Sequence, residues 1–196
     1  VADAGYLSGL RKICDQTGTL LVVDEIQTAG GRTGKWFDHQ HEDMVPDIMP
    51  LAKAIGGGMP LGALVMSKKV SEPLKIGGHG STYGGNPVAC AAGLATWDVV
   101  QEEGLMQHAM QLGPQFMEML EALKGKTDLI HSVRGRGLMI GLELHCEARP
   151  VFVKARSAGL LVTLAGTNVL RILPPLIATA ADCEHAASLL QQALQA

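Results

Sequence analysis

Thr19-Leu20-Leu21-Val22-Val23-Asp24-Glu25-Ile26-Gln27 is the stretch on which the fold turns. Its opening run is apolar or β-branched, the composition of a short strand buried on both faces of a parallel sheet. It stops abruptly on an acidic pair. Open α/β sheets form their ligand crevices at the carboxyl ends of strands, so Asp24 stands where such a crevice begins. Upstream, Leu7, Leu10, Ile13 and Cys14 share one face at helical spacing over residues 4–17, and Gly18 supplies a C-terminal stop. A helix feeding a buried strand is the repeating unit of an α/β fold.

Downstream, a Gly-rich loop runs to Gly34, and the short apolar segments Ile48–Ala52 and Leu61–Ser67 predict two more buried strands around a Gly56-Gly57-Gly58 turn. Gly77–Asn86 is a second glycine-rich loop, and Pro87 is suited to open a helix that reaches about Glu103. From Leu105 to Leu123 the helical pattern returns, with Met106, Met110, Met117 and Met119 predicted to face a core. The texture then changes. Residues 129–133, 138–144, 160–164 and 168–173 predict strands, with helices near 151–158 and from Ala180. The expected organisation is an α/β domain over residues 1–104 and a linking helix with a small α+β domain over 105–196.

Composition narrows the function. With 47% apolar and 18% charged residues the chain can bury a core, and its net charge of −3 is dispersed, giving no electrostatic reason to expect nucleic acid or an anionic membrane as partner. Cys14, Cys90, Cys146 and Cys183 show no C-x-x-C pair and no metal-ligand spacing, so no metal is expected; they are predicted to be reduced, buried thiols of a cytoplasmic protein. No stretch reaches the apolar length of a membrane span and no signal pattern opens the chain. It starts at Val1 within a predicted helix, which points to a fragment.

Three segments carry chemistry. Asp24-Glu25 can serve a ligand at the strand end or simply cap the strand's exit into solvent. An acidic strand end beside Gly30-Gly-Arg-Thr-Gly34-Lys35 also suggests a phosphate loop, but Ala29 and Trp36 occupy positions where that motif needs Gly and Ser or Thr, and the order is inverted. Lys53, between Ala52 and Ala54 at a predicted strand end, is expected in a tightly turned, apolar setting that lowers its pKa and makes it a nucleophile; a solvated loop lysine is the plainer alternative. His79-Gly-Ser81-Thr82-Tyr-Gly-Gly85-Asn-Pro87 combines hydroxyls, glycine-freed amides and a helix start, the equipment for gripping a phosphate, though a surface loop has the same composition. His39, His41 and His79 are expected to pack and hydrogen-bond.

Taken together, Asp24-Glu-Ile-Gln27-Thr-Ala-Gly-Gly-Arg32-Thr-Gly34, Asp47-Ile48, Leu51-Ala-Lys53-Ala54, Gly57-Gly58, Pro60-x-Gly62-Ala63 and the His79–Pro87 loop resemble the class III pyridoxal-phosphate aminotransferases. Arg134-Gly-Arg-Gly137-Leu-Met-Ile-Gly141 and Asn168-Val-Leu-Arg171-Ile-Leu-Pro-Pro-Leu176 extend the resemblance to the C-terminal domain. Within the class, Ala165–Arg171 and Trp36–His41 look most like acetylornithine aminotransferases. The resemblance implies a fold type I PLP-transferase, represented by part of the large parallel or mixed-sheet domain and the small C-terminal domain. It implies that Lys53 binds pyridoxal 5'-phosphate covalently and shuttles a proton. Asp24 then faces the pyridine nitrogen, Gln27 the phenolic oxygen side, and Thr82 with Ser81 the cofactor phosphate. It also implies a homodimer with shared sites, because the Thr82 position serves the neighbouring subunit. Arg171 resembles the family's arginine near the substrate end, a structural ion pair being its alternative.

Full members of the class run to about twice this length, beyond the usual single-domain range. The half absent from this sequence would supply the aromatic that stacks on the cofactor, a further phosphate loop and a carboxylate-gripping arginine. The expected activity is transfer of a terminal amine from an acetylornithine-like donor to 2-oxoglutarate, in arginine or ornithine metabolism. Another donor (ornithine, 4-aminobutyrate) and a catalytically inactive remnant with exposed apolar sheet edges remain open alternatives.

Overall fold

A computed structural model describes residues 1–195, and it divides into two compact units, Ala2–Met106 and the chain from Gln107 onward. In the first unit, α1 (Tyr6–Thr17) ends at Gly18, whose left-handed backbone (φ 69°) lets its N–H reach the Cys14 carbonyl. Leu7, Leu10 and Cys14 are half-buried, whereas Ile13 is exposed.

The predicted strand at 19–24 is extended but is not buried on both faces. It runs parallel to β1 (Ile48–Leu51) through a single bridge, Val22 to Ile48. The Val23 N–H donates to the Ile48 carbonyl at 3.0 Å and the Glu25 N–H to the Pro50 carbonyl at 3.2 Å. This ladder serves one edge only, so Leu21 is buried while Val22 remains 55% exposed.

β1 is followed by a 3-10 turn (Lys53–Gly56) and by β2 (Ala63–Met66), which pairs with β1 antiparallel in the register Ile48 to Met66 and Leu51 to Ala63. The connection is too short for a parallel crossover, so the chain must turn back. The two-stranded sheet plus the parallel segment make a mixed arrangement. β2 was expected to be buried; instead Leu64 and Val65 are exposed, because β2 has a strand neighbour on one edge and no covering layer among the described residues. A one-turn helix, α2 (Lys68–Ser71), and a loop lead to α3 (Pro87–Glu102). Asn86 caps α3 by accepting from the Ala89 N–H at 2.9 Å, with Pro87 in the first turn. A small core of Ala29, Met49, Leu51 and Ile55 is packed by Phe37, Leu61 and Trp97.

The second unit is a four-stranded antiparallel sheet with helices on one face. α4 (Leu105–Ala122) enters it, followed by β3 (Ile130–Arg136), β4 (Met139–Leu144), α5 (Arg149–Ser157), β5 (Thr163–Ala165), β6 (Val169–Ile172) and α6 (Ala180–Gln195). Strand order is β3-β4-β6-β5. Alternation decides the faces: Ile140, Leu142, Leu144, Leu170 and Ile172 point into the core, and Gly141, Glu143 and Arg171 lie on the other side. The core is closed by Phe116 and Leu120 of α4, Val151 of α5 and Leu190 of α6. The methionines flank this seam instead of forming it. Met117 and Met119 pack against the core, but Met110 is exposed, since Ala109, Leu112 and Phe116 take the central positions. A Cβ on Gly113 would fall 2.1 Å from the Gly137 carbonyl oxygen, so α4 meets the β3–β4 turn at a point where only glycine fits. Of the four cysteines, all free, Cys183 is buried and its thiol pKa is raised by that burial, whereas Cys146 is exposed, contrary to expectation.

Asp47 ties the first unit together. Its carboxylate accepts from the Leu21 N–H at 2.8 Å and from Arg11 of α1 at 2.7 Å, while its own N–H donates to the Leu21 carbonyl. The Leu21 N–H bond first, and the Arg11 bond second, lower the Asp47 pKa. A folded-state pKa below the unfolded value means that this group stabilises the fold above about pH 4, with the contribution lost as pH falls through the folded pKa. Denaturant titrations of wild type and Asp47→Asn should therefore differ most near neutral pH and converge in acid; a pH-independent difference would contradict this role.

Candidate functional site

Because residues 21–25 and β1 run parallel and are bonded as far as Glu25 and Pro50, Asp24 and Lys53 emerge from the same end of two adjacent segments. Asp24 is exposed and its Oδ1 accepts from the Ile26 N–H at 2.8 Å, a local turn that orients the carboxylate. Lys53 is the one non-glycine among the described residues with a left-handed backbone (φ 54°). That conformation costs of order 1–3 kcal/mol and persists only where the surroundings impose it.

The surroundings are the turn and α3. The Ile55 N–H donates to the Ala52 carbonyl and the Gly57 N–H to the Ala54 carbonyl, and Ile55 itself is buried. A Cβ on Gly93 would lie 3.0 Å from the Ile55 carbonyl oxygen, so α3 lies directly on the turn. The anchoring is buried, but Lys53 and Ala54 are exposed. The desolvated setting expected for Lys53 is thus not what this chain provides: glycines pack the far side of the turn and leave the lysine facing solvent.

Glu25 is 0% exposed, whereas sequence reading took it only together with Asp24, as a ligand group at the strand end or a cap on the strand's exit into solvent. Its Oε2 accepts from the Asp38 N–H at 3.0 Å and from the Thr28 hydroxyl; its Oε1 accepts from the His39 N–H at 2.8 Å and from His39 Nδ1 at 3.1 Å. The intervening loop, which contains the half-buried Gln27, is closed further by Gly30 N–H to the Trp36 carbonyl and by His41 Nε2 on the Thr33 carbonyl at 3.0 Å. Trp36 stacks on Trp97 of α3 with ring centroids 4.5 Å apart. His39 and His41 are packing and hydrogen-bonding residues; His79 is exposed.

Ser81 and Thr82 are exposed in the loop before α3, where the Ser81 hydroxyl accepts from the Gly84 N–H at 3.0 Å. No hydrogen bond among the described residues links either to Asp24 or Lys53. Arg171 lies in the second unit, on the sheet face away from the core, in register with Gly141, which is itself in register with Arg134. Its Nε donates to the Thr163 hydroxyl at 3.1 Å. On the same face Arg134, Ser132 and Asn168 surround Glu143, whose pKa is lowered chiefly by the Arg134 bond. A cavity of about 510 Å³ in this unit is lined by apolar side chains including Phe116, Leu160, Ile172 and Ala178; none of the sequence-predicted site residues lines it. No helix among the described residues is long and apolar enough to cross a membrane, and no group of three metal-ligating side chains occurs among them.

Residues 1–194 match the family described as Aminotransferase class-III. The chain is 44% identical over 194 residues to an acetylornithine aminotransferase of Caldanaerobacter subterraneus, covering 98% of this chain and 49% of that protein. Among solved structures it is similar to acetylornithine aminotransferase from Elizabethkingia anophelis (36% identity, TM-score 0.91, 100% of this chain and 50% of that one). It is also similar to an amine transaminase from an uncultivated Pseudomonas species in its PLP-bound form (34% identity, TM-score 0.92, 100% of this chain and 48% of that one). The chain spans about half the length of the curated relatives it matches.

Gly57 tests how Lys53 is held. Its φ is +58° and an added Cβ would lie 2.0 Å from Thr96 Oγ1 and 3.4 Å from the Ala92 carbonyl oxygen. Gly57→Ala should destabilise the first unit by about 1–3 kcal/mol in urea titrations, through overpacking and left-handed strain together. Gly58→Ala, with positive φ but open space around it, should cost less.

Proposed function

The chain belongs to the class III aminotransferases, and on that premise we propose that it carries the cofactor lysine and substrate-end arginine of an acetylornithine-type enzyme acting with 2-oxoglutarate. Its α/β architecture is that of the fold type I pyridoxal-phosphate enzymes. The first unit corresponds, in this reading, to part of the large cofactor domain and the second to the small C-terminal domain.

The observation that carries the reading is the pairing of Asp24 and Lys53 at one end of two parallel segments, with Lys53 held in a strained backbone conformation above a buried turn. The side chains fit pyridoxal phosphate: an amine nucleophile, a carboxylate at the neighbouring strand end, an amide at Gln27, and exposed hydroxyls at Ser81 and Thr82. When bound, the cofactor supplies an electron sink for the carbon that loses its proton. Lys53 would hold it covalently and would carry the transferred proton on its Nζ. Asp24 would face the ring nitrogen and favour its protonated form. Gln27 would donate to the ring oxygen, Ser81 would serve the cofactor phosphate, and Thr82 would reach the phosphate of the neighbouring subunit in a homodimer. Arg171 presents its planar fork to a substrate carboxylate. The setting proposed is cytoplasmic, without nucleic-acid or membrane partners.

Exposed Val22, Leu64 and Val65 support a second reading, in which this chain by itself lacks turnover because its sheet is incomplete. One experiment separates the two. The chain is incubated with pyridoxal phosphate, reduced with borohydride and digested. A cofactor mass on the peptide containing Lys53, absent in Lys53→Ala, is expected; its absence in wild type, or its persistence in the variant, overturns the assignment. Deamination of N-acetylornithine in preference to 4-aminobutyrate by the loaded chain supports the first reading, and a Lys53 adduct without deamination of any donor supports the second.

A further inference from the structure

We propose that Glu25 and His39 form a clasp that positions Asp24, acting through the backbone and not by touching the cofactor. The inference rests on the reading of Asp24 as the group facing the ring nitrogen. A carboxylate has about four lone-pair sites. Those of Glu25 receive the Asp38 and His39 N–H groups, the Thr28 hydroxyl and His39 Nδ1. The backbone is spoken for as well: its N–H donates to the Pro50 carbonyl and its carbonyl accepts from the Ala29 N–H. A fully buried carboxylate with every site filled has one low-energy orientation, since turning it leaves a desolvated charge and at least two buried N–H groups unpaired.

That orientation is transmitted to Asp24. In extended chain, successive side chains point to opposite sides. With Glu25 drawn inward to residues 38 and 39, Asp24 is turned outward at the strand end, and it is exposed. Its Oδ1 contact with the Ile26 N–H depends on the backbone of residues 24–26, which the clasp fixes. The His39 ring is held in turn by near-parallel stacking on Phe37, with centroids 5.6 Å apart and planes 13° apart. The clasp also closes the loop carrying Gln27, so both ring-facing groups of the proposed site depend on one buried hydrogen-bonded pair.

A staple that merely closes the loop predicts a different outcome from one that positions Asp24. The Ile26 amide distinguishes them, because it bonds the Asp24 carboxylate and none of the clasp atoms. Glu25→Gln places an amide NH2 among donors, His39→Leu removes the Nδ1 donor, and His39→Asn restores a donor near the same place. Amide exchange at Ile26, followed by NMR on the folded chain without cofactor, should accelerate about tenfold in Glu25→Gln and His39→Leu and stay within about twofold of wild type in His39→Asn. Thr28→Val, which deletes one donor at nearly constant volume, should give an intermediate acceleration and serves where Glu25→Gln does not fold. Pyridoxal phosphate titrated by absorbance should bind about tenfold more weakly in the first two variants. Faster exchange at Asp38 and His39 with Ile26 unchanged would overturn the positioning role, whatever the cofactor does. Accelerated Ile26 exchange in a chain whose wild type forms no Lys53 adduct would leave the clasp standing and remove the cofactor reading.

Discussion

Two backbone hydrogen bonds, from Val23 to the Ile48 carbonyl and from Glu25 to the Pro50 carbonyl, align the segment that ends in Asp24 with the strand that leads to Lys53. Parallel alignment is what puts the two ends on the same side; an antiparallel pairing would send them to opposite edges. The alignment is not self-sufficient, because a lone parallel pair is a weak element. Asp47 reinforces it from one end, bonding Leu21 and, through Arg11, α1. Glu25 reinforces it from the other, bonding residues 38 and 39.

Between these anchors the chain accepts local strain. The left-handed backbone at Lys53 is offset by the buried Ile55, by the turn's hydrogen bonds and by the close approach of α3 at Gly93 and Thr96. The packing behind the turn thus holds Lys53 in a conformation that a residue other than glycine rarely adopts, with its side chain left exposed. The second unit uses a simpler division, with one face of its sheet committed to the apolar core and the other to Arg171 and the Arg134–Glu143 network. Strand alternation alone produces that separation.

Most elements were legible in the sequence because their periods are local. The spacing of Leu and Met over 105–123, the alternation in 138–144 and 168–173, and the Pro87 start of a helix all survive in the structure. Burial was less legible. The run at 19–24 and the segment at 61–67 have buried-strand composition, yet Val22, Leu64 and Val65 are exposed, because burial depends on neighbours that lie elsewhere in a fold. The same reason accounts for Met110, outcompeted for the core by Leu112 and Phe116, and for the exposed Lys53.

By itself the sequence determined the motif order, the α/β character and the residue types at Asp24, Gln27, Lys53, Ser81, Thr82 and Arg171, since these follow from local composition and fixed spacing. Only the tertiary structure decided that Asp24 and Lys53 leave adjacent segments at one end, that Lys53 sits in a left-handed conformation, and that Glu25 is a saturated, buried carboxylate. The first and last rest chiefly on hydrogen bonds between residues more than ten positions apart and the second on α3 packing against the turn, and no local pattern encodes which distant group will face a given atom.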